Sequence, residues 1–345
     1  MVYKTELELS SHGLEKTHQT NNSLTIHPHK MSVKTVCGAF QLSLLSAPEL
    51  DKYVETLKKY SVTELDTARI YPGSEECLGN NDLPKSFVID TKALGFTPNS
   101  LRRDSIIESI DESFRLLKVD SVDIFYLHCP DPASPLEETL DTIGYLYKQG
   151  KFKRFGISNY SPEDVQKIYD YCKAKGHVLP SVFQGNYNAF ARRVEQTLFP
   201  LLKELNVSFY AYSPIAGGFL AKTPQQVTEG VGRFKQNGPV GDLYNGLYNR
   251  PSLMKGLEKW NKIAEKAGIT NAALAYRWVA HNSPLKAESG DAIILGARSA
   301  ESMAQNLEAI KQGALDPQIA KEIDEIWETI KDDAPLDNYD YYTPK

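Results

Sequence analysis

Cysteine is scarce. The 345-residue chain has four, Cys37, Cys77, Cys129 and Cys172, far apart and with no CxxC pair among them. That spacing argues against a disulfide framework or a zinc site and fits a reducing cytosol. Long apolar runs are missing too, and none approaches membrane-spanning length, so no membrane partner is expected. The opening stretch, MVYKTELELSSHGLEKTHQTNNS, lacks the apolar segment of a secretory signal. There is no excess of positive charge. A net charge of −5 leaves no electrostatic footprint for nucleic acid. Finally, no GxGxxG motif follows an early strand, and the glycines pair only in places such as Gly217-Gly218. A doubly wound sheet with a Rossmann dinucleotide site is therefore disfavoured.

What is present is the composition of a soluble globular protein, 41% hydrophobic and 24% charged. The polar residues 1–31 read as a flexible extension before a fold occupying 32–345. From there, strand-like and helix-like segments alternate. Eight short runs rich in β-branched and aromatic residues read as buried parallel strands: VKTVCGAF, VTELDTA, SFVIDTKA, VDIFYLH, KRFGISN, SVFQGNYN, VSFYAYSP and DAIILGA. Helical patterns lie between them. SAPELDKYVETLKKY opens with a capping box, Ser46 and Glu49, and a proline in its first turn. SLRRDSIIESIDESFRLLKV puts Ile106, Ile110, Phe114 and Leu117 on one face. SPEDVQKIYDYCKAKG runs from an N-cap serine to Gly176. Two more helices fall near 252–282, and KEIDEIWETIKDDAP reads as a C-terminal amphipathic helix. Eight βα units in series predict an α/β fold, a single-domain (β/α)8 TIM barrel. The Gly- and Asn-rich segment 215–251, after the seventh strand, reads as a long loop on the face where barrel enzymes keep their active sites.

On that face several titratable residues end apolar runs. Asp66 closes the second strand, Lys92 the third and His128 the fourth, and Tyr71 lies in the loop beyond Asp66. Their chemistry is complementary. A phenol with a pKa near 10 is a poor acid at neutral pH. An ammonium beside it favours the phenolate, so Lys92 is expected to lower that value, with Asp66 holding Lys92 charged and aimed. His128 is placed to orient a carbonyl oxygen by a hydrogen bond. Singly, each has an ordinary structural explanation, such as a surface charge or a satisfied histidine. The joint pattern points to catalysis. Cys129, adjacent to His128 on a strand, points to the opposite face, so a Cys–His nucleophile pair is not expected.

The segments ELDTARIY, DTK and DIFYLHCPD, followed in order by GKFKRFGISNYS, VFQGNYNA, FYAYSPIAGGFL and AIILGARSAESMAQNL, resemble the motifs of the aldo-keto reductases. The resemblance runs from about Thr35 to Ile330 and is greatest to the aflatoxin-aldehyde reductase branch and its fungal relatives. It implies a catalytic tetrad of Asp66, Tyr71, Lys92 and His128, with Tyr71 as proton donor, NADPH as cofactor and a small-molecule carbonyl as substrate. It further implies that Ser158, Asn159 and Gln184 bond the nicotinamide carboxamide and that Tyr212 stacks on the ring. Ser213, Ile215 and Gly217 would line the pyrophosphate, Arg298 would meet the 2′-phosphate, and Gln305 and Asn306 the adenine. Two departures stand out. Ser302 occupies a place where many relatives have arginine, and LYNGLYNRP has Leu247 where a substrate-binding arginine is expected, with Arg250 as a substitute. That loss predicts a preference for neutral or aromatic carbonyls. The resemblance also admits a regulatory binding protein on the same fold, or a biosynthetic enzyme performing redox-neutral isomerisation or cyclisation. No metal is required, and a homo-oligomer is compatible with all three readings.

Overall fold

In a computed structural model, which describes residues 32–342, eight parallel strands close into a barrel in the order β1 to β8. The first half runs β1 (Lys34–Gly38), α1 (Ala47–Lys59), β2 (Glu64–Asp66), α2 (Ser74–Asn80), β3 (Val88–Lys92), α3 (Arg103–Leu117), β4 (Val122–Leu127) and α4 (Leu136–Lys148). The second runs β5 (Phe152–Ser158), α5 (Pro162–Lys175), β6 (Pro180–Asn186), α6 (Val194–Glu204) and β7 (Ser208–Tyr212). Then come α7 (Pro224–Thr228), α8 (Pro239–Tyr248), α9 (Pro251–Ala267), α10 (Asn271–Arg277), β8 (Ala292–Leu295), α11 (Ala300–Lys311), α12 (Pro317–Ile330) and α13 (Asn338–Tyr342). The alternation read from the sequence is thus a (β/α)8 TIM barrel. The expected extension, 1–31, lies outside the described residues.

Local signals act where the sequence places them. The backbone N–H of Ser46 donates to Glu49 Oε2 at 2.9 Å. Ser161 Oγ accepts the Asp164 N–H at 3.1 Å, and α5 stops at Gly176 with φ +64°. Ile106, Ile110, Phe114 and Leu117 of α3 are all buried. The segment 215–251 departs from the expected loop. It contains the 3-10 turns Ala216–Ala221 and Gly232–Phe234 together with α7 and α8. A Thr223–Gln226 capping box starts α7 and Pro239 starts α8, signals too short to show a hydrophobic period.

Period-two alternation divides the strand residues into two sets. Cys37, Leu65, Ile89, Phe125, Phe155, Phe183, Phe209 and Ile293 join the core shared with the helices. Val36, Ile124, Tyr126, Val182, Tyr210, Ala292 and Ile294 form a separate cluster inside the barrel. Asp66, in register with Asp90 on β3, flanks Leu65 and so faces inward, as does Lys92, in register with Tyr126 on β4. Gly156 makes room for Tyr126: a Cβ there would stand 2.2 Å from that ring.

No helix among the described residues is long and apolar enough to cross a membrane.

Candidate active site

Asp66 and Lys92 are the last residues of β2 and β3, and His128 follows β4. All three are buried at the C-terminal rim. Lys92 is fully enclosed. Its ammonium donates to Asp66 Oδ1, Asp66 Oδ2 and the Thr67 carbonyl, each at 2.7 Å. Gln184 Nε2 adds a hydrogen bond to Asp66 Oδ1 at 2.8 Å. Tyr71 sits in the turn after β2, its ring centroid 5.5 Å from Lys92 Nζ and 5.9 Å from the His128 ring. That turn is anchored from below. Buried Glu75 takes hydrogen bonds from Arg69 and from Thr91 on β3, and Ser74 pairs with Thr67 at 2.8 Å. The four residues singled out by the sequence are therefore brought together.

Their electrostatics differ from the expectation in one respect. The Tyr71 phenol is pushed up, not down, by burial first and then by the negative charge of Asp66, with Arg233 acting the other way. The ammonium of Lys92 is held against Asp66, whose negative charge opposes its field at Tyr71, and desolvation of the phenolate outweighs what remains. Burial, then the nearby Lys92, hold His128 well below the usual histidine range. Its imidazole is neutral at physiological pH and can donate one ring N–H as a hydrogen bond.

Ser158, Asn159 and Tyr212 form a hydrogen-bonded set beside this group, with Gln184 of β6 in register with Ser158 of β5. Asn159, at φ +63°, donates to the His128 carbonyl and to Ser158 Oγ, both at 3.0 Å. Tyr212 Oη donates to Asn159 Oδ1 at 2.8 Å and accepts the Asn338 N–H at 3.1 Å. After β7 the backbone enters the left-handed region at Ser213, Ala216, Gly217 and Gly218. Gly217 is required there, because its φ is +64° and a Cβ would stand 1.9 Å from the Tyr244 ring. Ile215 packs partly buried against the core at the start of this turn. Arg298 and Gln305 are exposed, Arg298 just before α11 and Gln305 on it, and Asn306 reaches Tyr276 Oη at 3.4 Å.

Two residues that the sequence did not reveal join this corner. Lys222 donates to the Gly218 carbonyl at 3.0 Å, and Arg233 donates to Tyr244 Oη at 2.9 Å. Burial, then Arg298 and Arg233, lower the pKa of Lys222, which places the three cations near one another. Among the described residues, none of the three has a carboxylate within ion-pair distance. An uncompensated basic corner of this kind fits a phosphate-bearing ligand. The only sequence signal was two cations inside an irregular connection. Leu247 is in the core, and Arg250 is turned to the Gly246 and Asp333 carbonyls, so neither serves the site as an arginine clamp.

Aromatic rings lead outward from Tyr71 and His128. Phe40 lies 5.2 Å from Tyr71, Phe96 5.2 Å from His128, and Tyr339 and Tyr342 of α13 follow at 6.2 and 5.7 Å from Phe96. Segments distant in sequence thus line one mouth.

Comparison with known proteins gives the same family as the motifs. The "Oxidoreductase sirO" of Leptosphaeria maculans is 38% identical over 286 residues, 82% of this chain and 87% of that protein. The human "Aldo-keto reductase family 7 member A3" is 36% identical over 319 residues, 87% of this chain and 96% of that protein. The human "Aflatoxin B1 aldehyde reductase member 4" is 35% identical over the same number of residues, 319, covering 87% of this chain and 96% of that protein. The family model described as "Aldo/keto reductase family" matches residues 35–328. The chain belongs to the aldo/keto reductase family and is an oxidoreductase acting on carbonyl compounds.

Proposed function

We propose that the protein is an NADPH-dependent aldehyde or ketone reductase in which Tyr71 gives the proton. The observation that carries this is the convergence of Tyr71, His128 and the Asp66–Lys92 pair at one end of the barrel. Bound NADPH supplies the hydride. Tyr71 transfers its hydroxyl proton to the carbonyl oxygen as negative charge develops there. A phenol held above its usual pKa keeps its proton until that moment, and an alkoxide is basic enough to take it. Neutral His128 donates a hydrogen bond to the same oxygen and fixes its direction. Lys92, held by Asp66, stabilises the phenolate that results.

Ser158, Asn159 and Gln184 are assigned to the nicotinamide carboxamide and Tyr212 to its ring. Ser213, Ile215 and Gly217 are assigned to the pyrophosphate, now joined by Lys222 and Arg233. Arg298 is assigned to the 2′-phosphate, supported by the N-terminus of α11, where Ser299 Oγ accepts the Ser302 N–H at 3.2 Å. Gln305 and Asn306 are assigned to the adenine. The aromatic mouth favours a neutral aromatic substrate.

The test is Tyr71→Phe. Its ring packs on Phe40 and His128, and among the described residues its hydroxyl makes no side-chain hydrogen bond, so the fold should persist. Carbonyl reduction should fall by about 10²–10⁴ with NADPH binding retained. Turnover near the wild-type rate would remove Tyr71 from the proton-donor role.

A further inference from the structure

Below the tetrad, the inside of the barrel carries a second group of charges. Glu64 lies two residues before Asp66 on β2, and Asp90 two residues before Lys92 on β3, so all four face inward. Glu64 is 2% exposed and Asp90 0%. Glu64 Oε2 is held by Lys34 of β1, with Arg154 of β5 at 3.9 Å. Among the described residues, Asp90 has no cation within ion-pair distance. Its Oδ1 accepts the Ile124 N–H at 3.1 Å. Two oxygens, Glu64 Oε1 and Asp90 Oδ2, are buried with no donor among the described residues. The two carboxyls face the barrel interior from adjacent paired strands, Glu64 in register with Val88 and Asp90 with Asp66. A buried carboxylate oxygen without a donor is costly, and two adjacent ones are worse. A single proton between them satisfies both.

The charge count points the same way. Around Asp90 stand Lys34, Lys92 and Arg154, and opposite them Glu64, Asp66 and Asp123, with the phenols of Tyr126 and Tyr210. Neither β6 nor β8 contributes a titratable side chain to the interior, Gln184 and Ala292 being the inward residues nearest in register to Tyr210. Three cations therefore balance three carboxylates if Asp90 is neutral. An ionised Asp90 would be a fourth carboxylate, in register with Asp66 itself.

We propose that Asp90 and Glu64 share one proton at neutral pH, and that this proton is what leaves Lys92 committed to Asp66 and the tetrad in working order. Asp90 is a positioning residue that acts through Asp66 and Lys92. Burial, and the charges of Glu64, Asp66 and Asp123, push its carboxyl well above the usual range. The folded state then holds a proton that the unfolded chain releases near pH 4. Folding stability from this group is highest below that pH and declines as pH rises to the folded pKa, by up to about tenfold in the folding constant per pH unit. Loss of the proton adds negative charge beside Asp66, which disfavours phenolate at Tyr71 and competes for Lys92. Activity should fall with it.

The experiment compares wild type with Asp90→Asn, which keeps the shape and the acceptor for Ile124 and offers Glu64 a permanent N–H. Infrared spectra of the wild type at pH 7, where other carboxyl groups are ionised, should show a protonated carboxylic C=O band that is absent from the variant. The variant should be more thermostable at pH 7, with a Tm gap that widens towards pH 9. Its carbonyl-reduction profile should extend to higher pH than that of the wild type. Absence of the band from the wild type, its persistence in the variant, or a Tm gap that does not change with pH would overturn the shared proton. An unchanged alkaline limb would overturn its link to the tetrad. That last arm rests on the proposed reductase activity. If the wild type reduces no carbonyl, that reading fails, while the spectra and Tm values still decide the proton.

Discussion

Replacing Lys92 by methionine tests the electrostatic centre of the site. The side chain keeps its length and most of its apolar stem but loses the ammonium. Lys92 is 0% exposed and makes three hydrogen bonds of 2.7 Å, two of them to a carboxylate that is itself 3% exposed. After the substitution Asp66 keeps one side-chain donor, Gln184 Nε2 at 2.8 Å. Two unit charges about 4 Å apart at an effective dielectric near 20 interact by roughly 4 kcal/mol. Removing one partner of a buried pair typically costs about 3–5 kcal/mol, because the other charge is left stranded. The two figures agree. Against a total stability of about 5–15 kcal/mol, the loss is large but need not unfold the barrel. Urea denaturation followed by tryptophan fluorescence measures it. The same experiment on Lys92→Met/Asp66→Asn separates stranded charge from lost packing. The double variant should recover about 2 kcal/mol or more relative to the sum of the single changes. If Lys92→Met costs less than about 1 kcal/mol, or the double variant shows no recovery, the pair does not hold the site as argued.

Three further outcomes are expected. Arg298→Ala should erase most of a preference for NADPH over NADH of at least about tenfold, since a charge-assisted hydrogen bond is worth about 1.5–3 kcal/mol; titration of both cofactors by fluorescence measures the ratio. His128 has a folded pKa depressed by burial and by Lys92, so its contribution is fully present above about pH 6.5 and is lost as pH falls, by about 1.4 kcal/mol per unit. His128→Gln should flatten that acid limb in Tm against pH. With Leu247 in the core and Arg250 turned away, kcat/KM should favour a neutral aromatic aldehyde over succinic semialdehyde, and a wide margin for the carboxylated compound would refute the assignment of Lys222 and Arg233 to cofactor phosphates rather than substrate.

The barrel and the convergence of Asp66, Lys92 and His128 at its rim were legible because strands carry a period. A charged residue closing an apolar run at Asp66, Lys92 or His128 has to face either the helices or the barrel interior, and only the rim of the interior can use it. Tyr71 lacked that constraint and was found through its company, Asp66 five residues before it and the shared family motif. The corner made by Lys222 and Arg233 was not legible, since the connection from Ile215 to Pro251 is a series of short turns with no period to read. The direction of the Tyr71 shift was misread for another reason. Pairing Lys92 with Asp66 was anticipated, but the depth of burial is a tertiary quantity, and it decides the sign where the neighbouring charges oppose each other. Glu64 and Asp90 lie between these cases. Each is two residues from a tetrad member, so the alternation that places Asp66 and Lys92 inside the barrel places them there as well. Four inward titratable side chains on two adjacent strands, one of them cationic, leave a surplus of negative charge that only a neighbouring cation or a retained proton can relieve. Lys34 and Arg154 answer for Glu64, and Asp90 is left to the proton.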